Sequence, residues 1–409
     1  MKYIVLLGDG MADYPLKELG DKTPLEAANK PNMDLMARDG IVGTVKTIPD
    51  NLSSGSDVAN LNVLGYDPNQ YYTGRGPLEA ANMGVWLKKN DLAFRCNLIT
   101  ATGDILSDYS AGHISDDEAS ELIKFIDDKL GNDYIEFYGG TSYRHLMVIR
   151  GNLKSTGFDT EELVKVKCVA PHDISGEKIN EHLPQGNGSE LLIEMMNKSR
   201  SLLEPHAVNE VRKATGKNPA NMIWLWGQGK RPTMSTFMEK YGLGGSVISA
   251  VNLIKGLGIY AGLKVINVPG ATGFFDTNYK GKAEAALKSL EENDFVFVHV
   301  EAPDEAGHMG RLDKKVESIE DFDHFVVGTI LEGCRKLPEY RILVLPDHPT
   351  PIALKTHSSE PVPFVIYGTG IKADRVTSYN EKTALDGSVH IQEGYKLMDY
   401  FIKGSLGDE

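Results

Sequence analysis

Four places in the chain supply side chains of the kind that hold divalent metal ions: Asp9, the pair Asp304 and His308, the pair Asp347 and His348, and His357. Carboxylate oxygens and neutral imidazole nitrogens suit manganese, zinc or iron at neutral pH. The spacing Asp304-x-x-x-His308 puts both side chains on one face of a helical turn. Asp347 and His348 are adjacent, so they point apart from a regular strand and reach one ion only from a loop. Taken singly, each is ordinary, since an Asp after a strand more often caps a helix or closes a turn. Together the set can fill two centres, and the chemistry it suggests is two-metal phosphoryl transfer.

Such chemistry needs a group to receive the phosphoryl, and Ser56 is the candidate. It opens an apolar-periodic stretch that reads as a helix to Leu64, where unpaired backbone N–H groups attract anions. A serine there is also the ordinary N-cap residue. As a nucleophile it needs a base or a metal to lower its high pKa. The two roles can coexist.

The elements that must position these residues are legible as apolar runs stopped by Gly, Asp or His. Tyr3–Leu7 reads as a central strand running into Gly8-Asp9-Gly10. Phe295–Val300 ends just before Asp304, Arg341–Leu345 runs into Pro346-Asp347-His348, and Val362–Tyr367 ends at Gly368. Met222–Trp226 and Leu263–Val268 also read as strands, Ser246–Ile254 and Gly281–Leu290 as helices. Thr23, Pro24 and Glu26 announce a helix start with a capping box, continuing toward Gly40 unless Pro31 breaks it. Strands that deliver Asp and His at their ends predict a doubly wound α/β sheet with its site there. The texture changes between 84 and 206, where short amphipathic segments such as Leu122–Leu130 and Leu146–Ile149 alternate with polar connections. A second α/β domain spanning 84–206 is therefore expected, inserted between 1–83 and 207–409.

Composition narrows the partners. Fifty-seven acidic residues against 43 basic give a formal charge of −14, which repels nucleic acid and anionic membrane. No apolar run is long enough to span a bilayer. Cys96, Cys168 and Cys334 form neither a CxxC pair nor a disulfide framework, and no signal peptide is evident, so a soluble cytoplasmic protein is expected. Trp224 and Trp226 alternate with Met222 and read as strand core. Gly229-Lys230 lacks the earlier glycine of a P-loop, which makes Lys230 a loop lysine.

At this point the residues resemble the 2,3-bisphosphoglycerate-independent phosphoglycerate mutases, in their shorter archaeal-type branch. The resemblance spans almost the whole chain. It lies in Gly8-Asp9-Gly10, Ser56-Asp57-Val58-Ala59-Asn60-Leu61-Asn62, Tyr72-Thr73-Gly74-Arg75-Gly76-Pro77, Asp108-Tyr109-Ser110-Ala111-Gly112, Ser142-Tyr143-Arg144-His145 and Glu301-Ala302-Pro303-Asp304-Glu305-Ala306-Gly307-His308, among others. It implies an alkaline-phosphatase-like fold: a mixed, mostly parallel sheet flanked by helices, with the insert as a phosphotransferase-like lobe that closes over the substrate.

The resemblance also implies a division of labour. Asp9, Ser56, Asp347 and His348 would hold one metal, and Asp304, His308 and His357 the other. Manganese is the expected ion, with zinc, cobalt or magnesium as substitutes, and no bisphosphoglycerate is required. Ser56 would take the phosphoryl group from 3-phosphoglycerate and return it as 2-phosphoglycerate, a step of glycolysis and gluconeogenesis. Arg75, Arg95, Asp108, Arg144, His172, Arg212 and Lys282 are the expected substrate residues. His113 joins them, although relatives carry arginine in that block. Two other readings stay open: a homoserine kinase or other small-molecule phosphotransferase on the same scaffold, and a binding protein that has lost catalysis. The complete ligand set weighs against the last.

Overall fold

The computed structural model describes residues 1–151 and 159–404. The chain forms two compact units, Thr73–Pro232 and the remainder on either side of it. Along the chain, β1 is Lys2–Gly8 and β2 Ile41–Val45. Then come β3 Leu92–Thr102, β4 Ile105–Asp108, β5 Ile135–Thr141, β6 Arg144–Ile149 and β7 Met222–Lys230. They are followed by β8 Gly245–Ile248, β9 Lys264–Ile266, β10 Phe295–Val300, β11 Tyr340–Leu345, β12 Val362–Gly368 and β13 Val389–Ile391.

The first unit is built on an eight-stranded sheet in the order β13-β2-β12-β11-β1-β10-β8-β9. Only β12 runs antiparallel to its neighbours, so the sheet is mixed and mostly parallel. Its central strands are largely apolar because helices cover both faces. Ile4 and Leu6 of β1, Val296 and Val298 of β10, and Ile342 and Val344 of β11 share one core with Met33 and Met36 of the helix Pro31–Asp39. Ala283 and Ala286 of the helix Tyr279–Ser289 join the same core. The alternate residues Val5, Leu7, Phe297 and Leu343 are fully buried as well.

Strand pairing fixes where the chemistry falls. β10, β1 and β11 are adjacent and parallel, with Gly8 opposite Val300 and Leu7 opposite Leu345. Their carboxyl ends therefore lie side by side. Asp9, Asp304 and Asp347, distant in the chain, emerge at one edge of the sheet, where α/β sites form.

The second unit carries an antiparallel five-stranded sheet in which the long β3 pairs with β4, β6 and β7, and β5 pairs with β6. Its limits lie outside 84 and 206 at both ends. The cause is pairing: β7 is hydrogen-bonded along most of β3, and the helix Arg75–Asn82 packs on both strands. The strand expected at Met222–Trp226 thus belongs here and extends to Lys230. Trp224 is core, packed with Leu98, Ile123 and Leu192.

Three local expectations change. Ser246–Ile254 is not one helix but β8, a turn, and the helix Asn252–Tyr260. Val247, Val251 and Ile254 mimic a helical period, yet Val247 and Ile248 pair with β10 on one side and β9 on the other. Pro31 breaks the early helix into Pro24–Ala27 and Pro31–Asp39. Thr23 does cap Glu26 N–H while its hydroxyl donates to Glu381 (2.6 Å), and no bond from Thr23 N–H to the Glu26 carboxylate closes a capping box among the described residues. Among the described residues, no helix is long and apolar enough to cross a membrane.

Candidate metal centre

Asp9 follows β1 directly, and its amide donates to Val300 O (2.9 Å), which locks the turn to the end of β10. Gly10 then adopts φ 61°, and a Cβ there would stand 2.6 Å from Thr350 Oγ1 and 2.7 Å from Asp304 Oδ1, so only glycine fits. Asp304 and His308 lie one turn apart on the helix Ala302–Met309, with His308 Nε2 3.2 Å from Asp304 Oδ2. Asp347 and His348 sit in the loop after β11, as adjacency required. His357 arrives from the following irregular segment, its Nε2 2.9 Å from His308 Nε2 and 3.5 Å from Asp304 Oδ1.

Ser56 is the first residue of the helix Ser56–Val63. The cap position belongs to Gly55, and no side chain caps this end. That removes the plain structural role for the hydroxyl. Ser56 Oγ instead lies 3.1 Å from His348 Nε2, which is itself 3.5 Å from both Asp9 Oδ1 and Asp347 Oδ2. All seven expected ligands therefore converge in the first unit.

The donor set fits divalent ions. His308 and His357 aim ring nitrogens at each other and at one carboxylate, an arrangement that a shared cation satisfies better than a single proton. Asp304, His348 and His357 each offer an atom within 4.8 Å of the others, as do Asp9, His299 and Asp347. Asp9 Oδ1 is buried and accepts no hydrogen bond from any described residue. Burial, then the charges of Asp347, Glu301 and Asp304, hold the Asp9 carboxyl well above its usual range. Burial and Asp304 push Glu301 up to about 8. A cluster of buried carboxylates this crowded calls for bound cationic charge. Burial alone would raise Asp304 and lower His308. Their mutual hydrogen bond outweighs it, with His357 also bonding Asp304, so Asp304 falls well below its usual range and His308 rises to about 9.

Several residues of this centre escaped the sequence reading. Asn60 donates to both Ser56 O and Asp347 Oδ2, each at 2.8 Å, tying the helix of Ser56 to the loop after β11. Its signal was present: an asparagine four residues after Ser56 shares its helix face. Thr350 Oγ1 lies 2.5 Å from Asp304 Oδ1 and 3.2 Å from His348 Nδ1, linking both expected ligand groups. Buried Lys315 holds Thr350 O (2.7 Å) and Asp13 Oδ2 (2.7 Å) beneath it. Thr350→Val, equal in shape but without the hydroxyl, is expected to lower turnover about 10–100-fold while the protein folds normally. Steady-state rates beside a circular-dichroism melt check this, and wild-type turnover would remove the role.

The expected substrate residues lie mostly in the second unit, around Trp226. Arg95 and Arg75 place their guanidinium carbons 4.5 and 5.6 Å from that ring's centroid. His172 stacks edge-on at 5.3 Å, and the indole N–H donates to Asn97 Oδ1 (3.0 Å). Trp226 is therefore a platform for cations as well as core. Arg95 also pairs loosely with Glu79 at 3.7 Å, and burial lowers its pKa. Tyr109 meets His172 and Tyr143, while His113 and Arg144 flank Tyr143.

Three expected contacts take other places. Asp108 accepts from Ser110 N and Oγ, Gly112 N and Asn218 Nδ2 at 2.6–2.8 Å. Arg212 is buried and donates to Ala111 O, Glu118 Oε2 and Asn218 O. Between them they hold a loop in which Ala111, Gly112 and His113 all have positive φ, a strain of about 1–3 kcal/mol for each non-glycine residue. Their charges are consumed in bracing the loop rather than open to an anion. Lys282 belongs to the first unit, where it is buried and donates to His299 O (3.0 Å). Burial brings its pKa down to about 8, against the pull of Glu301.

The chain is similar to known proteins. A family described as 2,3-bisphosphoglycerate-independent phosphoglycerate mutase matches residues 37–209. The enzyme of that name from Methanosarcina mazei is 53% identical, over 98% of this chain and 100% of that protein. A probable enzyme of the same name from Geobacter sulfurreducens is also 53% identical over the same shares. The solved cofactor-independent phosphoglycerate mutase of Thermoplasma acidophilum superposes with a TM-score of 0.63 at 28% identity, covering 98% of this chain and 99% of that one.

Proposed function

The chain belongs to the 2,3-bisphosphoglycerate-independent phosphoglycerate mutases and interconverts 3-phosphoglycerate and 2-phosphoglycerate, and we propose that Ser56 carries the phosphoryl group between the two positions. The observation that carries this assignment is the geometry of Ser56: a helix-opening serine with no capping bond, 3.1 Å from His348 and among the carboxylates of Asp9 and Asp347.

Asp9, Ser56, Asp347 and His348 would hold one divalent ion, and Asp304, His308 and His357 a second, with manganese the expected metal. When bound, the ions lower the pKa of the serine hydroxyl and offset charge on the phosphoryl oxygens. Ser56 Oγ attacks phosphorus in line, forming a new P–O bond as the bond to the glycerate oxygen breaks. The serine gives up its proton and the departing glycerate oxygen gains one. The positive end of the helix Ser56–Val63 faces the incoming negative charge. Return of the group to the neighbouring glycerate hydroxyl reverses the bonds and regenerates Ser56. Asn60 holds the backbone of Ser56 through its carbonyl oxygen throughout.

Arg75, Arg95, Arg144, His113 and His172 are proposed to meet the anionic groups of the small phosphorylated substrate. Asp108 and Arg212 hold the loop that presents His113, and Lys282 supports the end of β10. Trp226→Leu is expected to raise KM about 5–30-fold with a smaller change in kcat, because two cationic side chains lose a ring that contributes about 0.5–2 kcal/mol to each. Saturation kinetics in both directions test it, and an unchanged KM would show the ring to be core alone.

The reaction itself is tested by phosphorus NMR on metal-loaded protein given 3-phosphoglycerate and no bisphosphoglycerate. Appearance of the 2-phospho isomer is expected. Failure there, with phosphorylation of homoserine by ATP in a parallel tube, would overturn the reading in favour of a kinase.

A further inference from the structure

His299 is the one polar residue in the otherwise apolar β10, and it is fully buried. Strand register explains where its ring goes. Val298 pairs with Ile248 of β8 and His299 with Leu7 of β1, so Ser249 and Asp9 stand just beyond the neighbouring strands on either side. Ser249 Oγ is 3.2 Å from His299 Nδ1, and His299 Nε2 is 2.9 Å from Asp9 Oδ2.

The direction of these bonds follows from Asp9: as an ionised metal ligand its carboxylate can only accept, so His299 Nε2 must carry the proton and Nδ1 is left to accept. Ser249 Oγ, which takes Val251 N–H at 2.9 Å, has its own proton to give to Nδ1. A ring that accepts at Nδ1 carries its proton on Nε2 and donates it to Asp9 Oδ2. Glu301 Oε2, at 3.6 Å from Nε2, lies beyond hydrogen-bond distance. With Oδ2 engaged, Asp9 presents its other oxygen, Oδ1, which is buried, accepts no hydrogen bond from the described residues, and lies 3.5 Å from His348 Nε2. Lys282 Nζ pins the backbone of the same strand residue through His299 O.

We propose that His299 is a positioning residue for the metal centre: bonded to Ser249 at Nδ1 and to Asp9 at Nε2, it fixes Asp9 so that Oδ1 faces the ion. His299 is then no ligand itself, although its ring nitrogen lies close enough to Asp9 and Asp347 to serve as one. The inference rests on the metal assignment made above for Asp9. Histidine–carboxylate contacts around metal ligands tune affinity about 10–100-fold.

The test is Mn2+ binding to the full-length protein, followed by electron paramagnetic resonance, in the wild type and in His299→Leu, His299→Gln, Ser249→Ala and Asp9→Asn. His299→Leu should weaken one of the Mn2+ sites about 10–100-fold. His299→Gln, which keeps an N–H near the place of Nε2, should recover most of that loss, whereas a merely space-filling role would favour neither. Ser249→Ala should weaken the same site by a smaller factor. Pulsed measurements of nitrogen coupling to Mn2+ should be unchanged by His299→Gln. A drop in nitrogen coupling in that variant would make His299 a ligand and overturn the proposal, as would wild-type affinity in His299→Leu. If His299→Leu does not fold, wild-type affinity in Ser249→Ala overturns it. Equal Mn2+ binding in the wild type and Asp9→Asn would defeat the underlying metal assignment instead, and the proposal with it.

Discussion

Ser56→Ala is expected to lower mutase turnover by about 10⁴-fold or more while leaving the fold intact. The loss corresponds to about 5 kcal/mol or more of transition-state stabilisation, because the covalent route disappears. Stability should hardly change. Ser56 Oγ caps nothing, so the substitution removes at most one hydrogen bond, worth about 0.5–1.5 kcal/mol. The proposed ligands Asp9, Asp347 and His348 remain, and Asn60 still holds the loop through Asp347. Wild-type protein quenched in acid during turnover should carry phosphate on the peptide that contains Ser56, and Ser56→Ala should carry none. Near-normal turnover in the variant, with no phosphoserine trapped in the wild type, would defeat the covalent mechanism even if both metals were found.

Stripping the metals is expected to abolish turnover and to make stability fall as pH rises from about 6.5 to 8. The sign follows from the groups that face one another at the ends of β1, β10 and β11. Glu301, raised to about 8 by burial and Asp304, retains a proton in the folded chain that the unfolded chain has already released, and Asp9 is shifted in the same direction by burial and Asp347. His308, lifted to about 9 chiefly through Asp304, does the same above its ordinary value. Stability from such groups is complete below their unfolded pKa values and is lost as pH climbs through the folded ones, by about 1.4 kcal/mol per pH unit for each retained proton. His299, brought down to about 3 by burial, and His348, also lowered by it, have the opposite slope, but theirs is spent by about pH 6.5. Lys282 regains stability only above about 8. Bound metal displaces the retained protons and should flatten the profile, adding about 4 kcal/mol at a thousandfold excess over Kd. Thermal melts at pH 6.5 and 8, in chelator and in Mn2+, measure both arms. A metal-free melting temperature that rises across this interval would contradict the charge arrangement.

The parts of the site legible from sequence are those whose context is local. Asp9 and Asp347 follow apolar strands directly, and Asp304 and His308 keep one helix face, so chain-neighbour rules were enough to single them out. The central strands β1, β10 and β11 were readable for the same reason, since buried parallel strands are largely apolar runs. What escaped depends on register and tertiary pairing. His299 looks like an irregularity in β10 until β8 and β1 bring Ser249 and Asp9 to its two nitrogens. β7 reads as one more strand of the main sheet until its pairing with β3 assigns it to the other unit. Arg212 and Asp108 have the residue types of anion or cation binders, and only their partners reveal that both are consumed in holding a strained loop.

The central position of β1 has a consequence for biosynthesis. This strand is translated before the rest of its sheet, yet its partners lie 292 and 338 residues downstream, Tyr3 pairing with Phe295 on one side and with Arg341 on the other. At about 5–20 residues per second, the ribosome needs roughly 15–60 s to supply them. Throughout that interval Tyr3–Leu7 is an apolar ribbon with both hydrogen-bonding edges open, the kind of segment that seeks other nascent chains. The second unit, contiguous from Thr73 to Pro232, can be complete on the ribosome well before β10 emerges. Assembly of the proposed metal centre must correspondingly wait for Asp304, Asp347, His348 and His357, all of which emerge after the second unit.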